Sequence, residues 1–354
     1  MSKIFDILTI VGARPQFVKA ATLSRAFSKH GQFSERIVHT GQHFDANMSD
    51  NFFAELSIPA PAYNLHISGG GHGRMTGRML EGIEALLTDA RPDAVLVYGD
   101  TNSTLAGAIA AAKMHIPVVH VEAGLRSFNR LMPEEINRVL ADHISTLLLC
   151  PSSKSIKNLA TEGITQNVHH VGDVMYDATL YAKKHASTKS SVVNALNLEP
   201  GAYAIATVHR AENTDCYENL KRVVTVLKEQ ADICDVVLPL HPRTKAALTR
   251  HGLNLNGIIT TDPVGYLDMQ QLLSEASLVI TDSGGLQKEA YFHRVPCLTL
   301  RSETEWVETV DCGWNRLWDQ PQYAPQKIIE EYGNGTASTI CADIIYNYLK
   351  HLKP

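Results

Sequence analysis

The stretch ITDSGGLQKEA, residues 280–290, contains residue types that could bind a nucleotide diphosphate. It has the pattern of a strand end, a break at two glycines and a helix start, where free N–H groups attract anions. Ser283 suits the N-cap, and Gly284 and Gly285 would let a phosphate approach the backbone closely. Glu289 lies one turn further on the same face. Its charge would repel a phosphate but suits a ribose diol, so the stretch predicts a nucleotide site with Glu289 on the ribose.

Similar signals follow other predicted strands. In GARPQFVK (12–19), Arg14 is a forked phosphate donor and Lys19 adds a point charge one turn into a helix. The alternative is a solvated basic helix start. The motif is neither of the glycine-rich fingerprints of NAD-binding and ATP-hydrolysing proteins, so both functions are disfavoured. The glycine-rich stretch 67–77 lacks the lysine–hydroxyl pair of ATP-binding loops and predicts a flexible loop.

Three carboxylates and two histidines are candidates for acid–base chemistry. Asp100 follows an apolar strand, where a role in capping the next helix is as good an explanation. Glu122 follows a nearly all-apolar strand, which is harder to explain by structure alone. Glu134 opens a helix after a proline, and this context favours ordinary capping chemistry. His209 and His241 end two adjacent predicted strands, which favours a function in a shared cleft.

The elements that position these residues alternate short β-branched runs with longer amphipathic stretches, which predicts an α/β protein with parallel sheets. Strands are predicted at 4–11, 36–40, 94–99, 117–122, 146–150, 168–172, 202–209, 235–241, 257–260, 277–281 and 296–300. The polar, turn-rich segment 186–201 is the predicted linker. We therefore expect Rossmann-like domains at 1–185 and 186–335, facing a cleft, with a helix at 336–354 that crosses back to the first domain.

Composition excludes several classes of protein. The chain has 354 residues, enough for two domains, with 44% hydrophobic and 19% charged residues. A net charge of −5 favours neither nucleic acid nor an anionic membrane as a partner. Six scattered cysteines without C-x-x-C spacing favour reduced thiols, and the N-terminal apolar run is too short for a signal peptide, so we expect a cytoplasmic protein. Sixteen histidines form no H-E-x-x-H motif, so we expect no metal site.

Taken in order, the motifs resemble those of the non-hydrolysing UDP-N-acetylglucosamine 2-epimerase family. They are GARPQFVK, GDTNSTLAG, HVEAGLRS, PEEINR, VHR, LPLHPRT and TDSGGLQKEA. The resemblance implies a glycosyltransferase-B-like pair of Rossmann-like domains with a UDP-sugar in the cleft. It also implies an isomerase without a cofactor, which eliminates UDP to form a 2-acetamidoglycal and adds it back after the C2 proton returns on the other face.

The resemblance assigns roles residue by residue. It implies catalytic roles for Asp100, Glu122, Glu134 and His209, and substrate-binding roles for Arg14, Lys19, His241, Ser283, Gly284, Gly285 and Glu289. Glu134 is thereby raised from a helix cap to a catalytic candidate. The base for each direction is not assignable from the sequence. A homodimer completes these expectations.

Three departures from the family pattern bear on the substrate. Gln16 replaces a glutamate, Trp306 in TEWVE stands where an arginine is common, and the stretch 40–53 lacks the basic residue that usually follows Gln-His. That region helps bacterial family members to bind a second, activating UDP-N-acetylglucosamine. The variants favour the subgroup acting on UDP-2,3-diacetamido-2,3-dideoxyglucuronic acid, whose products enter surface polysaccharides such as the O-antigen of lipopolysaccharide. UDP-N-acetylglucosamine is the alternative substrate.

A uronate needs a cation for its extra carboxylate. The candidates are Arg126, Arg130, Arg210 and Arg301, of which Arg301 is nearest to Trp306 in sequence. Trp306 itself could donate an indole hydrogen bond. Two other classes of function remain open: a glycosyltransferase, which would consume its donor only with an acceptor present, and a catalytically silent nucleotide-sugar sensor.

Overall fold

The described residues, 3–42 and 58–352 of the computed structural model, fall into two compact units. The first comprises the residues up to Ala178 together with those from Glu330 onward, and the second is Thr179–Ile329. The stretch after His43, on which the argument about an activating ligand depended, lies outside the described residues.

The first unit is built on a parallel sheet that has seven strands in the described residues, in the order β3-β2-β1-β4-β5-β6-β7. The strands are β1 Phe5–Val11, β2 Phe33–His39, β3 Tyr63–Asn64, β4 Ala94–Tyr98, β5 Val118–Val121, β6 Leu147–Cys150 and β7 Val168–His170. Every residue of β4 and β5 is buried, as expected for central strands covered on both faces. The order reverses between β1 and β4, which creates a switch point at their carboxyl ends.

Six helices alternate with these strands in the described part of the chain. They are α1 Arg14–His30, α2 His72–Asp89, α3 Asn102–Lys113, α4 Pro133–Ile144, α5 Ser153–Thr161 and α6 Val174–Lys189. The start of α2 corrects one expectation, because the glycine-rich stretch 67–77 is a loop only up to Gly71. Apolar residues at helical spacing (Met79, Ile83 and Leu87) are fully buried, and their burial outweighs the low helix propensity of the glycines.

The second unit repeats the pattern with a six-stranded parallel sheet in the order β10-β9-β8-β11-β12-β13. Its strands are β8 Tyr203–Thr207, β9 Asp235–Pro239, β10 Ile259–Thr261, β11 Leu278–Thr281, β12 Cys297–Thr299 and β13 Asn315–Leu317. Its helices are α7 Val192–Ala195, α8 Ala211–Thr214, α9 Tyr217–Ala231, α10 Pro242–His251, α11 Tyr266–Glu275, α12 Gly284–His293 and α13 Val307–Asp311. The order reverses between β8 and β11, so this unit also has a switch point. The predicted pair of Rossmann-like domains is confirmed.

The last helix, α14 (Ala337–His351), belongs to the first unit and packs on α1. Tyr346 meets Phe5 edge to face at 5.8 Å between ring centroids. At the other end, Asp177 accepts hydrogen bonds from the N–H groups of Ala337 and Ser338 at 3.1 and 2.7 Å. A buried carboxylate from α6 therefore caps α14.

The boundaries between the two units lie after Ala178 and after Ile329, whereas the sequence predicted them after residues 185 and 335. The first change falls inside the continuous helix α6, and the segment 186–201 contributes the last turn of α6 and all of α7. The polar residues of that turn are satisfied by the helix itself, because Ser187 and Thr188 donate to the carbonyls of Lys184 and His185, each at 3.0 Å. The polar residues at the start of segment 186–201 therefore belong to the exposed surface of a helix and not to a linker. No helix of the described chain is long and apolar enough to cross a lipid bilayer.

The six cysteines all lie in the described residues and are free. Cys150, Cys297, Cys312 and Cys341 are buried, Cys234 is partly buried and Cys216 is exposed. Burial raises the pKa of the Cys150 and Cys297 thiols to about 12.

Candidate active site

The turn after β1 is held by the side-chain amide of Gln16. Its Oε1 accepts from the N–H groups of Gly12 and Ala13 at 2.8 and 3.1 Å. Its Nε2 donates to the carbonyl of Tyr98 at 2.9 Å and to Thr104 at 3.0 Å. A glutamate could make the first two bonds but not the last two, so Gln16 joins the ends of β1 and β4. The sequence identified Gln16 as a departure from the family without finding this role.

Lys19 and Glu122 form a buried ion pair beside the end of β4. Their side chains are 9% and 7% exposed. Glu122 has a left-handed backbone (φ 68°), which costs free energy in a residue other than glycine. Gly99 makes room for the pair, because a Cβ there would lie 3.0 Å from the Glu122 carboxylate and 3.4 Å from the Lys19 amine. The pair is thus desolvated and fixed in place.

Asp100 is the second carboxylate at this switch point, and it pairs with Arg138 of α4. Arg138 also donates to Glu135 at 3.0 Å. Burial, reinforced by the charge of Glu122, raises the pKa of Asp100 against the opposing effect of Arg138 and Lys19. A carboxylate with a raised pKa is suited to exchange a proton near neutral pH.

A cavity of about 190 Å³ in the first unit brings several predicted residues together. Its lining is Ala13, Pro15, Gln16, Lys19, Gln42, His72, Tyr98, Gly99, Asp100, Thr101, Asn102, Glu134 and Asn137. The volume lies below the range of about 300–1,000 Å³ that is usual for whole ligands. The cavity can therefore hold part of a larger ligand.

Glu134 is an exposed residue of the first turn of α4, where the sequence predicted it. Arg14, the first residue of α1, is half-buried and is not in this lining.

The neutral polar members of this lining were missed from the sequence, where no charge singled them out. Asn137 donates to the Asp100 carbonyl at 2.9 Å and lies 3.2 Å from the amide oxygen of Asn102. The amide nitrogen of Asn102 in turn lies 3.2 Å from Nδ1 of His72. The one available signal was Asn102 itself, which stands in GDTNST. Neutral amides of this kind suit the hydroxyl and acetamido groups of a sugar.

Arg126 is excluded as a receptor for a substrate carboxylate, which corrects one of the four arginine candidates. It is buried and donates to Asp142 at 2.6 Å and to both oxygens of Glu162 at 2.7 Å. The flanking carboxylates hold the pKa of Arg126 above its ordinary value despite the opposing effect of burial. Arg126 is a structural cation of the first unit.

In the second unit, the acidic residue of the ITDSGG stretch, Asp282, has a structural role. It is fully buried and accepts from the N–H groups of His209 and Arg210 at 3.1 and 3.0 Å and from the amide of Asn213 at 3.1 Å. The pairing of β11 with β8 brings these groups together. Asp282 therefore shapes the segment that carries His209.

His209 and His241 are neighbours, as their positions on adjacent strands predicted, with 5.7 Å between ring centroids. His241 caps α10 by accepting the N–H of Arg243 on Nδ1 at 3.2 Å, so its proton is on Nε2. Burial, with the nearby His209 and Arg243, lowers the pKa of His241. A neutral His241 can therefore donate a hydrogen bond to a ligand from Nε2.

The two glycines at the start of α12 have different environments. Ser283 is at the N-cap position, but its side chain makes no capping bond, so the first N–H groups of the helix stay available. A Cβ on Gly284 would lie 2.1 Å from a carboxylate oxygen of Glu305, whereas a Cβ on Gly285 would meet nothing closer than the Ser283 hydroxyl at 4.0 Å. Gly284 is thus required by the protein itself, and Gly285 leaves open space where a phosphate could approach.

Charged and aromatic residues flank this helix start. Arg301 is buried and donates to Glu305 at 3.0 Å, so the predicted substrate-binding arginine already has an internal partner. Although burial favours the neutral acid, Arg301 and Arg210 hold the pKa of Glu305 below its ordinary value. The Lys288 amine lies 3.9 Å from the ring centroid of Trp306. Glu289 is a buried residue of the same helix, 6% exposed.

The indole N–H of Trp306 is buried and has no hydrogen-bond partner among the described residues. It lies 3.5 Å from the position of a Cβ on Gly284, close to the helix start. Buried donors are almost always paired in native proteins, so this N–H is a candidate donor to a bound ligand. In the same described residues, no group of three or more His, Cys, Asp or Glu side chains could hold a metal ion.

The fold defines a class: a two-domain α/β protein with candidate ligand-binding residues at the switch point of each unit. The family model "UDP-N-acetylglucosamine 2-epimerase" matches residues 25–341, and the chain belongs to this family. It is 49% identical to the UDP-2,3-diacetamido-2,3-dideoxy-D-glucuronate 2-epimerase of Pseudomonas aeruginosa, over 96% of this chain and 99% of that protein. It is 46% identical to the UDP-N-acetylglucosamine 2-epimerase of Methanocaldococcus jannaschii, over 87% of each.

Solved structures agree with this assignment. The M. jannaschii UDP-GlcNAc 2-epimerase in complex with UDP-GlcNAc and UDP matches with a TM-score of 0.86 and 41% identity, over 97% of this chain and 99% of that chain. The calicheamicin glycosyltransferase CalG4 matches with a TM-score of 0.58 and 16% identity, over the full length of both chains, and shares the fold alone. The glycosyltransferase-B-like fold class is thereby confirmed.

Proposed function

We propose that this chain is a non-hydrolysing UDP-sugar 2-epimerase and that its substrate is UDP-2,3-diacetamido-2,3-dideoxyglucuronic acid. The observation that carries the reaction is a cavity of the first unit that is lined by Asp100, Glu134 and Lys19, the last of which is paired with Glu122. Membership of the epimerase family supports the same conclusion.

The reaction needs a base at the sugar C2 and a stable leaving group at C1. Because C2 has no adjacent carbonyl, its proton becomes removable only as the C1–O bond breaks and UDP leaves with the electron pair. A C1=C2 double bond forms, a proton returns to C2 on the other face, and UDP adds back to C1. The raised pKa of Asp100 suits a group that exchanges protons, and Glu122, paired with Lys19, is the second proposed carboxylate. His209 is the proposed acid–base group of the second unit.

The second unit has the chemistry for the nucleotide. The open start of α12 at Gly285 offers N–H groups to the diphosphate, and Glu289 on the same helix is the proposed partner of the ribose hydroxyls. Ser283, Gly284 and neutral His241 complete the proposed binding residues of the second unit, and these groups stabilise the charge that develops on UDP as it departs. Arg14 and Lys19 are the proposed substrate-binding residues of the first unit.

The choice of the uronate is supported by the 49% identity with the P. aeruginosa enzyme of that name. With Arg126 engaged in internal ion pairs on two sides, the remaining proposed partners for the additional carboxylate are Arg130, Arg210 and Arg301, the last of which would share its guanidinium with Glu305. Arg130 is exposed, and Arg210 follows His209 directly. The unpaired indole N–H of Trp306 supplies a further donor beside Arg301. UDP-N-acetylglucosamine is the second candidate substrate, favoured by the 46% identity with the M. jannaschii enzyme.

The proposal also includes a cytoplasmic location, a homodimer and a product destined for surface polysaccharide such as lipopolysaccharide O-antigen. The location rests on the scattered cysteines and the short N-terminal apolar run, and the homodimer and the product on the family resemblance. Sedimentation of the purified protein tests the dimer.

The reaction is tested by incubating the protein with each UDP-sugar in deuterated water and following C2 by NMR. Epimerisation puts deuterium at C2 of both epimers. Release of UDP only when an acceptor is added would identify a glycosyltransferase, and tight binding without exchange would identify a sensor. Either result overturns the proposed reaction.

The substrate is tested by separate assays of the purified uronate and UDP-N-acetylglucosamine, without any added activator. We expect the uronate to be epimerised faster. Faster turnover of UDP-N-acetylglucosamine would reverse this choice and leave the family assignment unchanged.

A further inference from the structure

His120 is a fully buried histidine of β5 whose two ring nitrogens both have close acceptors. Nδ1 lies 2.7 Å from a carboxylate oxygen of Asp142, on α4, and Nε2 lies 2.7 Å from the carbonyl oxygen of Gly99, at the end of β4. Neither the family resemblance nor the site described above uses this residue.

The contact with Gly99 fixes one proton of the ring. A carbonyl oxygen only accepts hydrogen bonds, so Nε2 carries a proton. Asp142 also accepts from Arg126 at 2.6 Å and from the N–H of Gly124 at 3.1 Å. Although burial favours a neutral acid, the charges and hydrogen bonds of His120 and Arg126 hold the pKa of Asp142 below its ordinary value. The ring of His120 therefore bonds on both sides, to the Gly99 carbonyl through Nε2 and to the Asp142 carboxyl group through Nδ1.

The position of His120 links the three elements that carry the first-unit carboxylates. Its own strand leads to Glu122. The carbonyl it binds belongs to Gly99, which directly precedes Asp100. Its partner Asp142 lies on α4, the helix whose first turn contains Glu134.

We propose that His120, hydrogen-bonded to both Asp142 and the Gly99 carbonyl, is a positioning residue that sets the relative places of Asp100, Glu122 and Glu134. The inference rests on the proposed epimerase function. A buried ion pair serving stability alone could be replaced by packed apolar residues at little cost. The bond to Gly99 has a more specific effect, because Gly99 has a left-handed backbone (φ 59°) and leaves the space for Glu122. Without that bond, the peptide between Gly99 and Asp100 is freer to rotate.

The test compares His120→Gln with Asp142→Asn and with a control, His293→Asn. His293 is also a buried histidine, bonded to Gln270 at 2.7 Å in the second unit. We expect His120→Gln and Asp142→Asn to lower kcat by about 10²-fold, the scale of a misplaced catalytic group, with the Kd for UDP unchanged within about twofold. The control should keep its kcat. Folded His120→Gln protein with kcat within about threefold of the unaltered chain would overturn the proposal, as would an equal loss of kcat in the control.

A second measurement does not depend on any variant or on turnover. Nitrogen-15 NMR of the histidine rings in the unaltered protein should show a proton on Nε2 of His120 that is protected from exchange with solvent. An Nε2 without a proton would overturn the inference even if the variants fail to fold. If the unaltered protein exchanges no C2 proton in deuterated water, the proposed function fails, and the NMR result still decides the bonding of His120.

Discussion

The candidate residues form two clusters, one at the switch point of each unit, and the two have opposite environments. The cluster of the first unit is buried, and the cluster of the second unit is open to solvent. In the first unit, Lys19, Glu122 and Arg138 are buried, with side chains 7–9% exposed and each charge in an ion pair. In the second, the side chain of His209 is 42% exposed, and the helix start at Gly285 faces open space. Acid–base groups depend on a fixed, desolvated environment, whereas a phosphate must be able to reach backbone N–H groups from solvent. The difference suits proton exchange by fixed carboxylates in the first unit and capture of the nucleotide in the second, where the proposed acid–base group His209 stays accessible to a ligand.

The largest expected effect is on the buried cluster. Asp100→Asn or Glu122→Gln should lower kcat by about 10²-fold or more, the scale of a lost acid–base group, because each removes a titrating oxygen. Substrate affinity should change little. The measurement is steady-state epimerisation together with calorimetric binding of substrate. Near-normal turnover in either variant would return that residue to a structural role and remove the contrast between the clusters.

A change at the open cluster should affect binding instead. Glu289→Gln should weaken UDP binding by about 1–3 kcal/mol, the usual range for a charge-assisted hydrogen bond to the ribose. Titration of UDP by calorimetry measures this. Glu229→Gln, the same change at an exposed position of α9, is a matched control that should leave the affinity unchanged. An unaltered affinity in Glu289→Gln would refute the ribose assignment.

The adjacent glycines allow a matched comparison within the open cluster. Gly284→Ala brings a methyl group against the Glu305 carboxylate and should destabilise the protein by about 1–3 kcal/mol, as overpacking does. Gly285→Ala has room for its methyl group and should be neutral or slightly stabilising, since alanine restricts the unfolded chain. It should nevertheless weaken UDP binding by obstructing the approach of the phosphate. Urea unfolding and UDP titration of both variants decide between these effects, and equal stability of the two would contradict the assigned environments.

The smallest predicted effect is the pH dependence of stability, which has a different pH window for a buried group of each unit. Burial, with Lys183 nearby, lowers the pKa of His293 to about 3. Below roughly pH 6.5, His293 binds a proton in the unfolded chain but stays neutral in the folded chain. The free energy of unfolding therefore falls as pH falls, by about 1 kcal/mol per pH unit. Asp142 acts in a lower window, because its depressed pKa removes stability only below roughly pH 4.

Urea unfolding at pH 7, 6 and 5 measures this slope, and the non-titrating variant His293→Asn should reduce it. Identical slopes for the variant and the unaltered protein would show that His293 is not the group responsible.

The sequence was sufficient for the architecture because parallel strands and amphipathic helices leave strong periodic signals. It also identified the carboxylates and histidines at strand ends, where charge stands out after apolar runs. It could not find His120, because a histidine inside PVVHVE resembles any core residue until the fold brings Gly99 and Asp142 to its ring. Arg126 is the opposite case, because the sequence suggested it as a partner for a substrate carboxylate and the structure shows it paired with carboxylates of the protein itself. Asn102 and Asn137 were missed for a third reason, because neutral amides have no local pattern.

The cysteine distribution has a practical consequence for observing the nucleotide site. Four thiols are buried, and two of these have a pKa raised to about 12, so they are poor nucleophiles at neutral pH. Cys216 is the exposed thiol, and it follows the short helix α8 that begins directly after Arg210. A maleimide dye should therefore couple first at Cys216 in the native protein. The attached fluorophore would then report ligand binding near His209 in real time, without any engineered cysteine.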